Sequence, residues 1–393
     1  MELNVDVPIT LASSLPIVRS SRNIKKPRWM DNYETIGIPW PEFNDGLRYN
    51  DVVSPSNSGV SLIQFYSSNH PSSAPLQGWL QRIHNGQITI DGDTVTDPNI
   101  VLRVGSKLVY HRLPWSEPET PFLLEVLYED DDMIVLNKPS GLQVLPGGLF
   151  QQRTVLTQLK WHVNKNENST PSQLHPVPVH RLGRGTSGVL LCAKTKSAKA
   201  RLAAYFADGT SLVRGKRETD SEIGEERRIT KIYRALVKGI IDTNEVLINK
   251  PIGIMRYPGV AKGLYVALPS GKPALSKVRV LERDMEKNQT LVQVQIQSGR
   301  PHQIRIHLSL IGYPLLGDPL YVAGGQPECF DSELVEEEFA EDGGYQRPTK
   351  PVPGDCGYHL HAHEVTLSHP TTNAVMKIIA PLPPMLKLDQ EAN

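Results

Sequence analysis

Two segments of the chain gather cations where a polyanion could sit. From His180 to Ala207 the sequence holds Arg181, Arg184, Lys194, Lys196, Lys199 and Arg201 and no acid. From Gly299 to Gly317 it holds Arg300, His302, Arg305 and His307, again with no acid. The whole chain balances 42 basic against 42 acidic residues, for a formal net charge of zero. The cations are therefore segregated, not abundant. If the two segments meet in space, they form a cationic cleft suited to a phosphate backbone. Solvated side chains on a helix and a strand are the plainer alternative, and charge alone does not separate the two.

Two shorter patterns invite other chemistry. Gly183-Arg184-Gly185-Thr186-Ser187-Gly188 matches GxGxxG, and Asp208 follows Gly188 by 20 residues. A dinucleotide site needs a strand before the glycines and a helix opening on them. Here the preceding LHPVPVHRL is broken by prolines and the following VLLCAK reads as a strand, so the order is wrong. His359, His361 and His363 alternate, and alternate strand residues share a face on which imidazoles could hold a metal. Nothing nearby completes such a site, so no metal is expected.

Longer motifs carry more information. KPSGL (138–142), HRLGRGTSGVLL (180–191), KIYRALVKG (231–239), SGRPHQIRIHLSLIGYPLLGDPLY (298–321) and LHAHEVTLSHP (360–370) occur in this order. Together they resemble the RluA-type family of RNA pseudouridine synthases, over roughly residues 76–385 outside two insertions. The resemblance implies isomerisation of uridine to pseudouridine in RNA, with no cofactor. It implies that Arg181 fills the space left by a flipped base, that Tyr233 packs on the uracil, and that Arg305 pairs with the catalytic Asp of the pattern HRLDxxTSG. His180, Arg184, Arg300, His302 and Gln303 lie in the same motifs and are expected to face RNA. The departure is Gly183, which stands where that Asp belongs and is the mark of a plant-type branch. Glycine can neither attack carbon nor move a proton. Arg305 is accordingly expected to lack its carboxylate, unless Asp208 or Asp318 reaches it.

The elements that must position these residues are legible in outline. LLEVLYEDDDMIVLNKPSGL gives two strands around an acidic turn, 189–194 a strand, and 195–207 a helix with Thr195 as its cap. Residues 232–241, 290–297 and 361–370 read as strands. Residues 302–312 read as an amphipathic helix closed by Gly312. Strands and helices do not alternate regularly, which predicts an α+β fold with a mixed, mainly antiparallel sheet and flanking helices over 123–385. Residues 214–231 and 326–358 are densely charged and read as surface insertions. Upstream, PLQGWLQRIHNG has the spacing of a helix, QITIDGDTV reads as a hairpin, and LRVGSKLVYH as a further strand. This 76–112 unit resembles an S4-type RNA-binding module, with Arg82, His84 and Arg103 as its candidate phosphate contacts. Residues 1–45 read as a loosely structured lead-in.

Composition bounds the rest. Hydrophobic residues make up 39% and charged residues 21%, as in a folded chain. The 32 prolines exceed the usual ~5% and predict much loop. Three cysteines at long spacing, Cys192, Cys329 and Cys356, fit neither a disulfide framework nor a metal motif. They point to a reducing, intracellular compartment, cytoplasm or nucleus before an organelle. No run approaches about 18 apolar residues, so no membrane span is expected. The expected partner is RNA and the expected state a monomer. Two functions stay open: an RNA pseudouridine synthase, or an RNA-binding protein or chaperone that keeps the cleft and has lost the chemistry.

Overall fold

Alternating apolar residues dictate most of the strands, and the tight turns between them set the order. The computed structural model describes residues 34–71, 73–165, 175–215, 229–257, 260–327, 339–341, 346–348 and 355–391. The chain runs through β1 (Thr35–Ile36) into a small unit made of β2 (Leu47–Val52), α1 (Leu62–Asn69), α2 (Leu76–His84), β3 (Ile88–Ile90), β4 (Asp93–Val95) and β5 (Lys107–Arg112). The large body begins with β6 (Leu124–Glu129), β7 (Met133–Lys138), α3 (Val155–Lys165), β8 (Val177–Pro178), β9 (Ser187–Ala193), α4 (Lys196–Gly215) and β10 (Ile229–Lys238). It continues with β11 (Glu245–Asn249), β12 (Ile252–Tyr257), β13 (Val260–Ala267), β14 (Leu275–Asp284), β15 (Gln289–Ile296) and α5 (Gln303–Leu310). It ends with β16 (Phe339–Glu341), β17 (Gln346–Pro348), β18 (Leu360–Ser368) and β19 (Val375–Ile379).

Among the described residues the body is built on one 11-stranded sheet, whose main path is β1-β6-β7-β9-β18-β10-β15-β14-β11. Its pairings are antiparallel except β9 with β18. This is the expected mixed, mainly antiparallel α+β architecture. The parallel contact is close: a Cβ at Gly188, whose φ is +106°, would lie 2.2 Å from the Ala362 carbonyl oxygen, so only glycine fits. One face of the sheet packs Leu136, Leu190 and Cys192 around Val155 and Leu159 of α3. Another buries Val189 and Leu191 against Ala198 and Leu202 of α4. Thr195 caps α4, its Oγ1 accepting from the Ala198 amide at 3.1 Å.

The small unit folds two helices on a four-stranded sheet of order β2-β5-β3-β4, around Tyr66, Trp79, Ile83, Ile88 and Leu108. It begins at Leu47, not near residue 76. The pairing of β2 with β5 is long-range, and LRYNDV carries no alternating apolar pattern to announce it. Helix α1 is set by a capping box between Ser61 and Gln64. Residues 34–45 are likewise not loose. Ile36 is buried, β1 pairs with β6, the Ile38 amide donates to Gln158 Oε1 at 2.8 Å, and Trp40 packs on Trp161. The two charged insertions are shorter than their composition suggests. Ile229 and Lys231 are buried in β10, and Tyr358 is buried just before β18. Within the second insertion β16 pairs antiparallel with β17. Residues 216–228, 328–338 (with Cys329), 342–345 and 349–354 and the lead-in before residue 34 lie outside the described residues.

Linker residues join the unit to the body. The guanidinium of Arg112 sits 3.6 Å from the Trp115 ring centroid. The buried Glu117 carboxylate accepts from Asn44 Nδ2 and from the amides of Gln151, Gln152 and Arg153, at 2.8–2.9 Å.

Candidate active site

The glycine-rich segment is a turn locked from outside. The Thr186 amide donates to the Gly183 carbonyl at 3.0 Å. The KPSGL motif grips this turn: the Gly141 amide and Lys138 Nζ donate to the Arg184 carbonyl, and Ser140 Oγ donates to the Gly185 carbonyl at 2.7 Å. Lys138 is fully buried and also donates to the carbonyls of Pro139 and Leu142. Burial pulls its ammonium down to about 7, and the three carbonyls compensate by accepting from the charged form. Ser187 Oγ lies 2.8 Å from His361 Nδ1, which ties the start of β9 to β18.

Helix α5 starts from a strained residue. His302 has φ 54°, ψ 17°, a left-handed conformation uncommon for a residue with a side chain. Tyr321 Oη donates to the Tyr265 carbonyl, so its remaining lone pairs accept from His302 Nδ1–H at 2.9 Å. Burial lowers the His302 pKa to about 4, so the ring is neutral near pH 7. Gln303 is spent on structure: its amide group bridges Ser298, Ser276, the Leu275 carbonyl and the Arg300 amide.

Arg305, 2% exposed, donates through Nε and Nη2 to the two oxygens of Asp318 at 2.7 and 2.8 Å. Its guanidinium stacks between the rings of Tyr358 (4.3 Å) and Tyr321 (5.0 Å). Burial opposes its charge, but the Asp318 hydrogen bonds together with charge interactions with Tyr358, Asp318 and Tyr321 raise its pKa. Nη1 is buried without a hydrogen-bond partner among the described residues. Asp318 also accepts from the Leu320 and Tyr321 amides, so its oxygens are occupied.

Strand β10 supplies the third wall. Lys231 and Tyr233 are two residues apart and share a face of the sheet. The pairing with β18 shifts at Ile232/Tyr233, where Ile232 faces Glu364 and Tyr233 faces Ala362. The extra residue, His363, belongs to β18, so β10 keeps its alternation, as its unbroken register with β15 also shows. Burial raises the Tyr233 phenol to about 12.

A single cavity of about 640 Å³ joins these walls. Arg181, Gly183, Lys231, Tyr233, Arg300, His302, Arg305 and Tyr358 all line it, and among the described residues no carboxylate does. Its size suits a nucleoside-sized ligand.

Residues 132–310 match the family model described as RNA pseudouridylate synthase. The chain is 67% identical to RNA pseudouridine synthase 5 of Arabidopsis thaliana, over 90% of this chain and 97% of that protein. It is 61% identical to RNA pseudouridine synthase 5 of Oryza sativa subsp. japonica, over 91% and 92% of the two. It is 33% identical to Ribosomal large subunit pseudouridine synthase D of Pseudomonas aeruginosa, over 82% and 89%. The chain belongs to the RNA pseudouridine synthase family. Members are isomerases, and the RluA-type resemblance read from the motifs agrees.

Within this pseudouridine synthase the two basic segments do meet. Exposed Arg181 and half-buried Arg300 face the cleft, and Arg300 also donates to the Pro273 carbonyl at 3.1 Å. Other expectations need correction. Arg305 does not lack a carboxylate, because the GDPLY turn folds Asp318 onto it; the side chain of Asp208 lies outside the described residues. Arg184 is not among the lining residues: it pairs with Asp355 at 2.6 Å and lies over Phe150. His180 lines the cleft as a neutral acceptor. Burial lowers its pKa to about 3, the Leu191 amide donates to its Nε2, and its ring stacks on Phe206. Arg82 is fully buried over Trp79 and Tyr110, with Ser73 accepting from it, so it cannot meet a phosphate. His84 and Arg103 are exposed. His361 and His363 bond Ser187 and the Ala380 carbonyl. No metal-ligating cluster occurs among the described residues.

Lys231 and Tyr358 are among the lining residues that sequence reasoning missed. Lys231 carried a signal, since it precedes Tyr233 by two on the same strand. Tyr358 carried none, because it follows a charged insertion and lies before the periodic part of β18.

Proposed function

We propose that the protein isomerises uridine to pseudouridine in structured RNA, taking a flipped uridine into the cleft between β10, α5 and the 183–186 turn. The observation that carries this reading is the cavity itself, which brings cations, tyrosines and Arg305 together with no acid among the described residues of its lining. Arg181, Lys231 and Arg300 meet backbone phosphates. Tyr233 packs on the uracil, which must leave its stack to be reached. Arg181 takes the space vacated by the base, since a planar cation can both stack and hydrogen-bond. The reaction breaks the C1′–N1 bond and forms C1′–C5, a net isomerisation that requires no redox partner. The small unit, read as an S4-like module, adds affinity through His84 and Arg103. Gly183 stands where the family's catalytic Asp belongs.

Pseudouridine mapping in cells with and without the protein tests the reading. Loss of one or more sites is the expected result. A second reading, an RNA-binding protein or chaperone without turnover, is favoured by the glycine at 183, and an unchanged map with retained RNA binding would establish it.

A further inference from the structure

Gly183 is the odd residue of the cleft, and its surroundings account for it. A Cβ at 183 would lie 2.9 Å from Tyr358 Oη and 3.4 Å from Thr186 Oγ1, with no other atom within 4 Å. A Cβ at 185 would lie 2.7 Å from the Asp355 carbonyl oxygen, 2.8 Å from Tyr358 Cε1 and 2.9 Å from Cys356 Cα. Neither glycine has a left-handed φ, so backbone conformation does not demand them. Space does. The phenol fills the volume that a side chain at 183 would use.

Tyr358 is held there firmly. Its hydroxyl lies 3.2 Å from Thr186 Oγ1, its ring packs with Leu360, Ile304 and Leu315, and the Arg305 guanidinium lies 4.3 Å from the ring centroid. It lines the same cavity as Tyr233 and Arg181. We propose that Tyr358, and not the residue at 183, is the group that acts on the target ribose, as a nucleophile at C1′. The proposal rests on the synthase reading above.

Tyrosine is an established nucleophile type, including at sugar carbons. Tyr358 first loses its phenolic proton to solvent. The phenolate oxygen attacks C1′, forming C1′–Oη as C1′–N1 breaks and its electron pair leaves with uracil. The base turns, C5 attacks C1′, and the C1′–Oη pair returns to the phenolate. C5 then loses its proton and N1 gains one. The product is an isomer of the substrate and the tyrosine is regenerated. Arg305 favours the phenolate by its charge, while burial disfavours it and leaves the phenol pKa raised. The reactive form is therefore a minority near neutrality.

Single-turnover conversion of uridine in total RNA, followed over about pH 6 to 9, tests this with three proteins. The wild-type rate rises about tenfold per pH unit, because the phenolate fraction does so below the phenol pKa. Tyr358→Phe falls by about 10³-fold or more while keeping RNA affinity, which also reports that it folds. Tyr358→Phe with Gly183→Asp recovers a rate that is flat over this pH range. Removing the hydroxyl leaves room for the new side chain, and its carboxylate is ionised throughout. Wild-type turnover that is flat in pH, or that survives in Tyr358→Phe, overturns the role of Tyr358 and leaves the synthase reading standing. A wild-type protein that converts no uridine at any pH overturns both.

Discussion

On the α5 side of the cleft, Arg305 meets Asp318 through two hydrogen bonds, and both side chains are out of water. On the Gly183 side no ion pair among the described residues reaches the cavity, and a phenol whose pKa burial raises stands where a side chain would go. The first arrangement is costly to assemble, because two charges leave water, and it is therefore intolerant of losing one partner. The second is apolar packing with one hydroxyl, and it tolerates exchange of similar shapes. Two kinds of wall thus stand side by side in one site. A buried pair fixes both partners at once, whereas a glycine and a tyrosine trade volume across a turn.

The largest expected effect breaks the fixed half. Asp318→Asn leaves Arg305 buried and charged without a counter-ion, and should destabilise the protein by about 3–5 kcal/mol. Chemical denaturation reads this directly. A loss below about 1 kcal/mol would mean that the pair is solvated and that the contrast between the two walls is false.

The Gly183 side should respond as packing does. Gly183→Ala brings a Cβ to 2.9 Å from Tyr358 Oη, and overpacking of this kind costs about 1–3 kcal/mol. Tyr358→Phe removes the colliding atom, so the same Gly183→Ala change should cost much less in that background. The double-mutant cycle isolates the coupling. Additive effects would show that the hydroxyl does not define the space at 183.

The α5 wall was largely legible in the sequence and the Gly183 wall was not. HQIRIHLSLIG carries helical spacing and a terminal glycine, and α5 forms from Gln303 to Leu310. KIYRALVKG alternates, and Tyr233 faces the cleft on β10. Both signals are local. Asp318 finds Arg305 through a turn, and Tyr358 reaches Gly183 across 175 positions, so no local period encodes either contact. Arg82 shows the converse failure. A cation on a helix reads as exposed, yet it lies three residues after Trp79 and one before Ile83, inside the buried stripe. Stacking on two rings makes that burial tolerable.

Acid titration sharpens the contrast from another side. His302 on the α5 wall has its pKa lowered to about 4 and His180, near the turn, to about 3, both chiefly by burial. Their unfolded values lie near 6.5. Between these limits the unfolded chain binds more protons, so stability falls as pH drops from about 6.5 toward 4 and recovers above it. His302→Asn keeps a residue type that accepts a left-handed φ and should flatten part of this slope, as read from denaturation midpoints at about pH 4.5, 5.5 and 6.5. An unchanged slope would place its origin elsewhere.

The smallest expected effect lies on the surface of the small unit, where no side chain is committed to a partner across a buried boundary. Arg103 is exposed in the loop before β5. Arg103→Ala should leave stability within about 0.5 kcal/mol, as surface changes generally do. Its effect belongs to RNA binding. One fewer phosphate contact releases one fewer counter-ion, so the slope of log affinity against log salt should flatten by about 0.7–0.9. Affinity should fall similarly for unrelated RNA sequences, because a phosphate contact carries no base information. Binding measured from about 50 to 200 mM salt gives the slope. An unaltered slope would remove Arg103 from the RNA-facing surface and leave the cations of the cleft, Arg181, Lys231 and Arg300, to carry the electrostatic part of binding alone.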